Sequence, residues 1–189
     1  DGVRSPGEWD EAWKLADDPD DPWNNGYDLL RVYHHYEAGE DKMYYMYEVD
    51  GIAGDSDGDG NPNTPDDGFN DQWGVGSKEG YLIALNADND TTTGITLHGY
   101  PGYDLTVELR NNTPQVTWHT AGMEPSGFVA EAAIKTTEPY THVVEFSISN
   151  VSEFMDPTEY VFFGYVGSQM DAYEEDYLEQ PVTPPSIPP

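Results

Sequence analysis

The feature that most constrains the fold of this chain is a series of short segments rich in β-branched and aromatic residues, separated by turn-forming residues. The segments recur at roughly 10–15 residues, a spacing typical of strands in a β-sandwich. Residues 29–36 and 42–49 are separated by a polar turn, as are residues 103–109 and 115–120, so each pair predicts a β-hairpin. No long stretch shows the 3.6-residue hydrophobic period of a helix. The sequence therefore predicts an all-β antiparallel sandwich of about eight strands with calcium-binding loops.

The segment 142–149 indicates how such a strand packs. Val144, Phe146 and Ile148 alternate with the more polar positions Glu145 and Ser147. Because successive side chains of a strand point to opposite faces, one face should be buried and the other partly in contact with water.

The length of 189 residues fits a single domain. We expect one sandwich domain over residues 1–178, with an acidic insertion at 51–73 between two of its strands. The remaining residues, 179–189, form a Pro-rich tail that on its own would be an extended linker. A short helical turn is expected at 150–155, because the following Pro157 disfavours continuation.

The charge of the chain excludes several classes of partner. There are 37 acidic residues against 7 basic ones, which gives a formal net charge of −30. Nucleic acids and anionic membrane surfaces are therefore not expected to bind, since both need basic patches, and no membrane insertion is expected in this segment. The acidity favours cation binding, solubility in high salt, or both. Cysteine is absent, which excludes disulfides and thiolate metal sites.

The strongest motif is the acidic loop 55–66. Calcium loops place oxygen ligands at positions 1, 3, 5, 9 and 12, a glycine at position 6 and a carbonyl ligand at position 7. Gly60 stands at position 6, and the side-chain oxygens at the ligand spacing predict a bound Ca²⁺ rather than only a solvated acidic turn. The predicted ligands are Asp55, Asp57, Asp59, Asn61 (through its carbonyl), Asn63 and Asp66.

A second candidate calcium site follows the predicted strand 80–86. Asn86, Asp88 and Asp90 alternate at its exit, so their side chains should face one side and converge on one cation. The alternative is a turn rich in Asp and Asn that binds no metal.

Both motifs resemble known families. The loop 55–66, with Asp66 at position 12, is similar to the calcium repeats of thrombospondin type 3 and dockerin modules. Residues 81–94 with Gly102-Tyr103-Asp104, and the opening phrase up to Trp9-Asp10, resemble DOMON-like β-sandwiches related to carbohydrate-binding module family nine. This second resemblance implies a two-sheet sandwich of jelly-roll or DOMON-like type, a structural calcium near Asp88 and Asp90, and an approach of Asp104 to the same region.

The sequence contains three sequons for N-glycosylation. Like the calcium motifs, they indicate an extracellular or cell-surface location. They begin at Asn89, Asn111 and Asn150. The sequence thus indicates an acidic, calcium-binding glycoprotein.

Other functions have weaker signals. Trp23 and Trp73 lie in polar, glycine- and aspartate-rich contexts and are the tryptophans most expected to be exposed, so they are the candidates for stacking on a sugar. Catalysis is not expected, because the sequence has no nucleophile elbow, zinc motif or phosphate loop, and pairs of carboxylates arise by chance in so acidic a chain.

We therefore predict a non-enzymatic structural subunit of an archaeal or bacterial surface layer or filament. Copies of the chain would form a homopolymer by β-strand addition through the terminal segments 1–10 and 177–187, and calcium would stiffen the joints. The alternative is a carbohydrate-binding module of a secreted or surface protein, which would bind glycans.

Overall fold

The computed structural model describes residues 2–18, 26, 28–55, 59–62, 79–110, 113–168 and 174–184. These residues contain strands and two short 3₁₀-helices, Glu11–Trp13 and Val151–Glu153, and no α-helix. The strands are β1 (Lys14–Asp17), β2 (Asp28–Glu37), β3 (Lys42–Asp50), β4 (Glu79–Asn86), β5 (Ile95–Leu97), β6 (Tyr100–Tyr103), β7 (Leu105–Arg110), β8 (Thr113–Trp118), β9 (Ala130–Ile134), β10 (Val143–Ser149), β11 (Val161–Ser168) and β12 (Glu174–Tyr177).

The strands form two five-stranded sheets and one separate hairpin. Sheet A has the order β1-β2-β3-β10-β9, sheet B has the order β12-β11-β4-β7-β8, and β5 pairs with β6. Every pairing is antiparallel. The prediction of an all-β antiparallel sandwich is confirmed, and both predicted hairpins are present as β2–β3 and β7–β8.

The main core lies between the two sheets and is rich in aromatic rings. In β10, Phe146 and Ile148 point into it, as the alternating pattern predicted. Tyr45 of sheet A stacks on Phe162 of sheet B with ring centroids 5.1 Å apart. Each large side chain buried in this way contributes roughly 1.5–3 kcal/mol of transfer free energy.

The N-terminal segment covers part of the outer face of sheet A. Trp9 packs there against Tyr33 and Met46 in a second, smaller apolar cluster. Arg4 and Arg31 both bond the carboxylate of the buried Glu48, the latter at 2.9 Å. These two ion pairs satisfy a carboxylate that would otherwise be costly to bury.

The C-terminal segment completes the edge of sheet B. β12 pairs with β11, and beyond it Val182 exchanges two backbone hydrogen bonds of 2.8 and 2.9 Å with Phe162. The carboxylate of Asp176 accepts a hydrogen bond of 2.5 Å from the backbone N–H of Leu29 in sheet A. Such a tail could be held either by its own domain or by a neighbouring copy of the chain. In this structure, residues up to 184 contact their own domain.

The described residues contain more strands than the pattern predicted. β5, β6 and β12 were not expected because they are only three or four residues long, and β6 and β12 also contain turn-forming or acidic residues. β8 begins at Thr113 rather than at 115 and includes Pro114, which a strand tolerates at the edge of a sheet. The expected helical turn near 150–155 is present as the 3₁₀-helix Val151–Glu153.

Candidate metal centre

Asp104 organises the turn that follows β4. It lies between β6 and β7 and is fully buried. One carboxylate oxygen accepts the backbone N–H groups of Ala87, at 2.9 Å, and Asp88, at 3.4 Å. The other oxygen accepts the hydroxyl of Thr120. These hydrogen bonds hold the Asp104 carboxylate beside the turn although it comes from a distant part of the sequence.

The hydroxyl of Thr93 marks the point where several oxygens of this turn converge. Its Oγ1 lies 3.2 Å from Asp104 Oδ1, 3.2 and 3.3 Å from the two carboxylate oxygens of Asp88, and 2.9 Å from the Asp90 carbonyl. A hydroxyl has one proton and can donate it to one acceptor at a time. The site therefore has more acceptors than this donor can satisfy.

Asn86 adds a buried amide to the same turn. It is 2 % exposed, and its side-chain oxygen has no hydrogen-bond partner among the described residues. Its amide nitrogen lies 2.5 Å from the position that a Cβ on Gly102 would take, and the Asp90 carbonyl lies 3.0 Å from that position. A buried polar atom without a partner costs free energy, so this oxygen is suited to bind a cation.

The carboxylate of Asp90 points elsewhere. It accepts hydrogen bonds from the backbone N–H and the hydroxyl of Thr92, at 2.8 and 2.7 Å, and these bonds lower its pKa. Of the three predicted ligands, Asp88 thus contributes its carboxylate beside Thr93 and Asp90 contributes its backbone carbonyl, while the Asn86 amide is buried in the same turn. We call Asn86, Asp88, Thr93, Asp104 and the carbonyl of Asp90 the Asp104 cluster.

The Asp104 cluster offers only oxygen atoms, which suits a hard cation such as Ca²⁺. Within the part of the chain that the structure describes, no three His, Asp or Glu side chains are grouped so that they could hold a metal ion. The Asp104 cluster agrees with this, because only two of its groups are carboxylates and the others are an amide, a hydroxyl and a carbonyl. Calcium sites use all of these except the hydroxyl routinely.

The acidic loop 55–66 is described only in part. Asp55 is 3 % exposed, and its carboxylate accepts the backbone N–H of Gly60 at 3.0 Å. The carboxylate of Asp59 accepts the N–H of Asn61 at 2.8 Å, and the Asn61 side chain accepts the hydroxyl of Tyr140 at 2.8 Å. The other predicted ligands, Asp57, Asn63 and Asp66, lie outside the described residues.

The remaining predicted sites are placed as follows. Asn89 is exposed, and its side-chain nitrogen lies 3.4 Å from the carbonyl of Glu159. The side-chain nitrogen of Asn150 donates to the carbonyl of Ser126 at 3.1 Å. Asn111, Trp23 and Trp73 lie outside the described residues, so their predicted roles stay predictions.

Sequence reasoning missed the two threonines of this region. Thr93 and Thr120 bond Asp104 from two different turns. The only signal was the run Thr91-Thr92-Thr93 directly after the Asn- and Asp-rich stretch, and nothing in the sequence singles out Thr120.

None of the helices within the described ranges is long and apolar enough to cross a membrane. Comparisons with protein-family models, with curated proteins and with solved structures found no match. The resemblance to DOMON-like sandwiches accordingly stays a prediction.

Proposed function

We propose that this chain is an extracellular, calcium-stabilised structural subunit of a cell-surface layer or filament, without enzymatic activity. The observation that carries the proposal is the Asp104 cluster. Two carboxylates, one of them fully buried, converge there on a single hydroxyl, and the same turn contains the buried Asn86, whose side-chain oxygen lacks a partner in the described structure.

A bound Ca²⁺ would supply what this arrangement lacks. Neighbouring carboxylates repel each other, and burial strengthens the repulsion because the local dielectric constant is low. A divalent cation compensates both charges and accepts the lone pairs of the neutral oxygens. Because it binds the folded form, it stabilises that form by mass action.

The loop 55–66 supports a second ion. The hydrogen bond from Gly60 to Asp55 bends the loop back on its first predicted ligand, and Gly60 has a φ of +90°. Position 6 of a calcium loop requires such a turn. Calcium at both places would brace the ends of β3 and β4, which belong to different sheets.

Assembly through the chain termini is the structural part of the proposal. β12 is the edge strand of sheet B, and the bridge between Val182 and Phe162 extends the same edge. A segment that adds to a sheet edge within one chain can add to the same edge of another copy, since the backbone hydrogen bonds are identical. We expect residues 174–184 to be exchanged between neighbouring copies in the polymer.

The metal part of the proposal is tested by calcium titration of two matched variants. Asp88→Asn removes a charge from the Asp104 cluster, while Asp156→Asn changes an exposed carboxylate that bonds Thr158 at 2.9 and 2.7 Å, much as Asp90 bonds Thr92. Isothermal titration should show Ca²⁺ binding weakened about tenfold or more in Asp88→Asn and unchanged in Asp156→Asn. Equal affinities in the two variants would exclude this metal site.

The assembly part is tested by sedimentation with and without a chelator. We expect large assemblies in calcium and smaller species after its removal. A chain that stays monomeric at all concentrations in calcium contradicts the polymer. The alternative, a carbohydrate-binding module, predicts retention on insoluble polysaccharide and loss of retention in Trp23→Ala or Trp73→Ala.

A further inference from the structure

The outer face of sheet A contains a groove of about 650 Å³ between the N-terminal segment and strands β9 and β10. This volume lies within the range of pockets for small organic ligands. The groove is on sheet A, whereas Asp104 lies at the end of β6 next to sheet B, so it is separate from the Asp104 cluster.

Aromatic rings form one part of the groove. Trp9 and Trp13 are in edge-to-face contact with ring centroids 6.3 Å apart, and Trp13 stacks on His35 at 4.0 Å. Tyr44 of β3 also lines the groove and is partly exposed. These rings are held by contacts with each other and with the cluster around Tyr33, so their positions are set before a ligand arrives.

Carboxylates form the other part. Glu8, Glu131 and Glu145 line the groove, and no Lys or Arg is among the described residues that do so. Glu145 accepts the indole N–H of Trp9 at 3.1 Å and the backbone N–H of Gly2 at 2.8 Å, which fixes it against the rings. The groove thus combines aromatic surface with negative charge in a protein of formal net charge −30.

Two of the protein's own cations show what this face of the sheet binds. At one end of the groove the Lys42 ammonium lies 3.2 Å from Glu131 and 5.5 Å from the centroid of the Tyr44 ring. Farther along the face the Arg4 guanidinium lies 4.7 Å from the Tyr33 ring centroid and pairs with Glu48. In both places a cation is held by an aromatic ring and by carboxylate groups, which are Glu131 for Lys42 and Glu48 with Glu11 for Arg4.

We propose that this groove binds a small organic cation, an ammonium group carrying apolar substituents. The rings attract the positive charge through their quadrupoles and contact the apolar substituents, while the carboxylates supply the opposite charge. The described residues that line the groove include three carboxylates and no Lys or Arg, and Lys42 pairs with Glu131, so such a ligand would meet opposite charge chiefly at Glu8. The proposal does not depend on the proposed calcium sites or on assembly.

Anionic ligands are disfavoured by the same charges. A neutral sugar could stack on Tyr44 and donate hydrogen bonds from its hydroxyl groups to the carboxylates. It would, however, exclude water from these carboxylates without supplying a positive charge, so their mutual repulsion would remain. Charge complementarity therefore favours the cation over the sugar.

The test uses choline and its uncharged isostere 3,3-dimethylbutan-1-ol, which has nearly the same shape. Both are titrated into the calcium-saturated chain by calorimetry, together with glucose. We expect one choline site per chain, affinity that falls as salt is raised, and at least tenfold weaker binding of the isostere.

Three variants locate the site. Glu8→Gln should weaken choline binding about fivefold, and Lys42→Met should strengthen it by removing the competing internal ammonium. Glu124→Gln changes an exposed carboxylate outside the groove and should have no effect. The opposite signs for Glu8 and Lys42 would not follow from a loss of folding, which would weaken binding in both.

Several results would overturn the proposal. Equal binding of choline and the isostere would mean an apolar pocket, and binding of glucose alone would mean a sugar site. Equal effects of Glu8→Gln and Glu124→Gln would mean diffuse attraction of cations to an acidic surface. No choline binding at all would equally contradict it, while leaving the calcium-dependent function untouched.

Discussion

Two acidic regions of this molecule, the loop after β3 and the turn after β4, differ in how their candidate ligands are assembled. In the loop, every predicted ligand lies within residues 55–66, so the sequence spacing alone carries the prediction. In the turn, the sequence shows only Asn86, Asp88 and Asp90, and the group that organises the site, Asp104, arrives from the start of β7. A local motif such as the loop can therefore be recognised from the sequence. The turn cannot be recognised in full, because the fold places the buried charge of Asp104 there.

The difference predicts that the two regions tolerate change unequally, and the glycines test this most strongly. Gly102 has a φ of +105°, and a Cβ there would lie 2.5 Å from the Asn86 amide and 2.9 Å from the Cα of Thr91. Gly102→Ala should lower the free energy of unfolding by about 4 kcal/mol, through strain and displacement of the Asp104 cluster. Urea denaturation measures this loss, and a change below about 1 kcal/mol would show that the turn is not rigid.

The second prediction concerns the loss of stability in acid, to which His34, outside both acidic regions, should contribute. Burial lowers the pKa of His34 from 6.5 to about 4, and its Nδ1 lies 2.9 Å from the Tyr160 hydroxyl. As the pH falls, His34 is therefore protonated in the unfolded chain before it is protonated in the folded one. The free energy of unfolding should fall by about 3 kcal/mol in total between pH 6.5 and pH 4.

The measurement is a series of denaturation curves across this pH range, with and without a chelator. The contribution of His34 should be the same in both series and absent in His34→Gln. Any additional acid sensitivity seen only in calcium then belongs to the two acidic regions. A loss that is unchanged in His34→Gln would contradict the assignment to this histidine.

Asp104→Asn distinguishes the charge of the cluster from its hydrogen bonds. The amide oxygen can still accept the N–H of Ala87, but the negative charge is gone and an NH₂ group replaces one acceptor. In calcium we expect a loss of about 2 kcal/mol, and in a chelator a smaller loss or a gain, because the repulsion with Asp88 is also removed. Equal losses in both conditions would mean that the site binds no calcium.

The smallest effect is expected in the loop. Gly60 has a φ of +90°, yet a Cβ placed on it would contact no atom of the described residues within 4 Å. Gly60→Ala should cost only the backbone strain, about 1 kcal/mol, and should weaken one of the two calcium sites without affecting the other. Thermal denaturation and calcium stoichiometry check this, and a cost as large as that of Gly102→Ala would remove the contrast between the two regions.

The fold was predictable where strands are long and regularly patterned. The hairpins β2–β3 and β7–β8 and the inward face of β10 follow from alternation and turn residues. β6, with the sequence Tyr-Pro-Gly-Tyr, and β12, with Glu-Glu-Asp-Tyr, have no such pattern. They are strands because a neighbouring strand offers them hydrogen bonds, which is tertiary information.

The candidate site was predictable only in its local half. Asn86 and Asp88 follow from alternation at a strand exit, but the turn directs the carboxylate of Asp90 to Thr92 rather than to the cluster. Asp104 was implied by a family resemblance, and Thr120 by nothing. The groove was not predicted either, because Trp9 and Trp13 form it together with Glu145, which lies more than a hundred residues away in the sequence.

The position of β12 has a consequence for how the chain is made. β11 pairs with β4 on one side, and its other side is covered by β12 and Val182, which are synthesised later. Until these residues emerge from the ribosome, the growing domain presents a row of unpaired N–H and C=O groups along β11. Such an open edge recruits foreign strands during biogenesis, so a released chain that is truncated within residues 169–173 should be captured by other chains more readily than one that extends through residue 184.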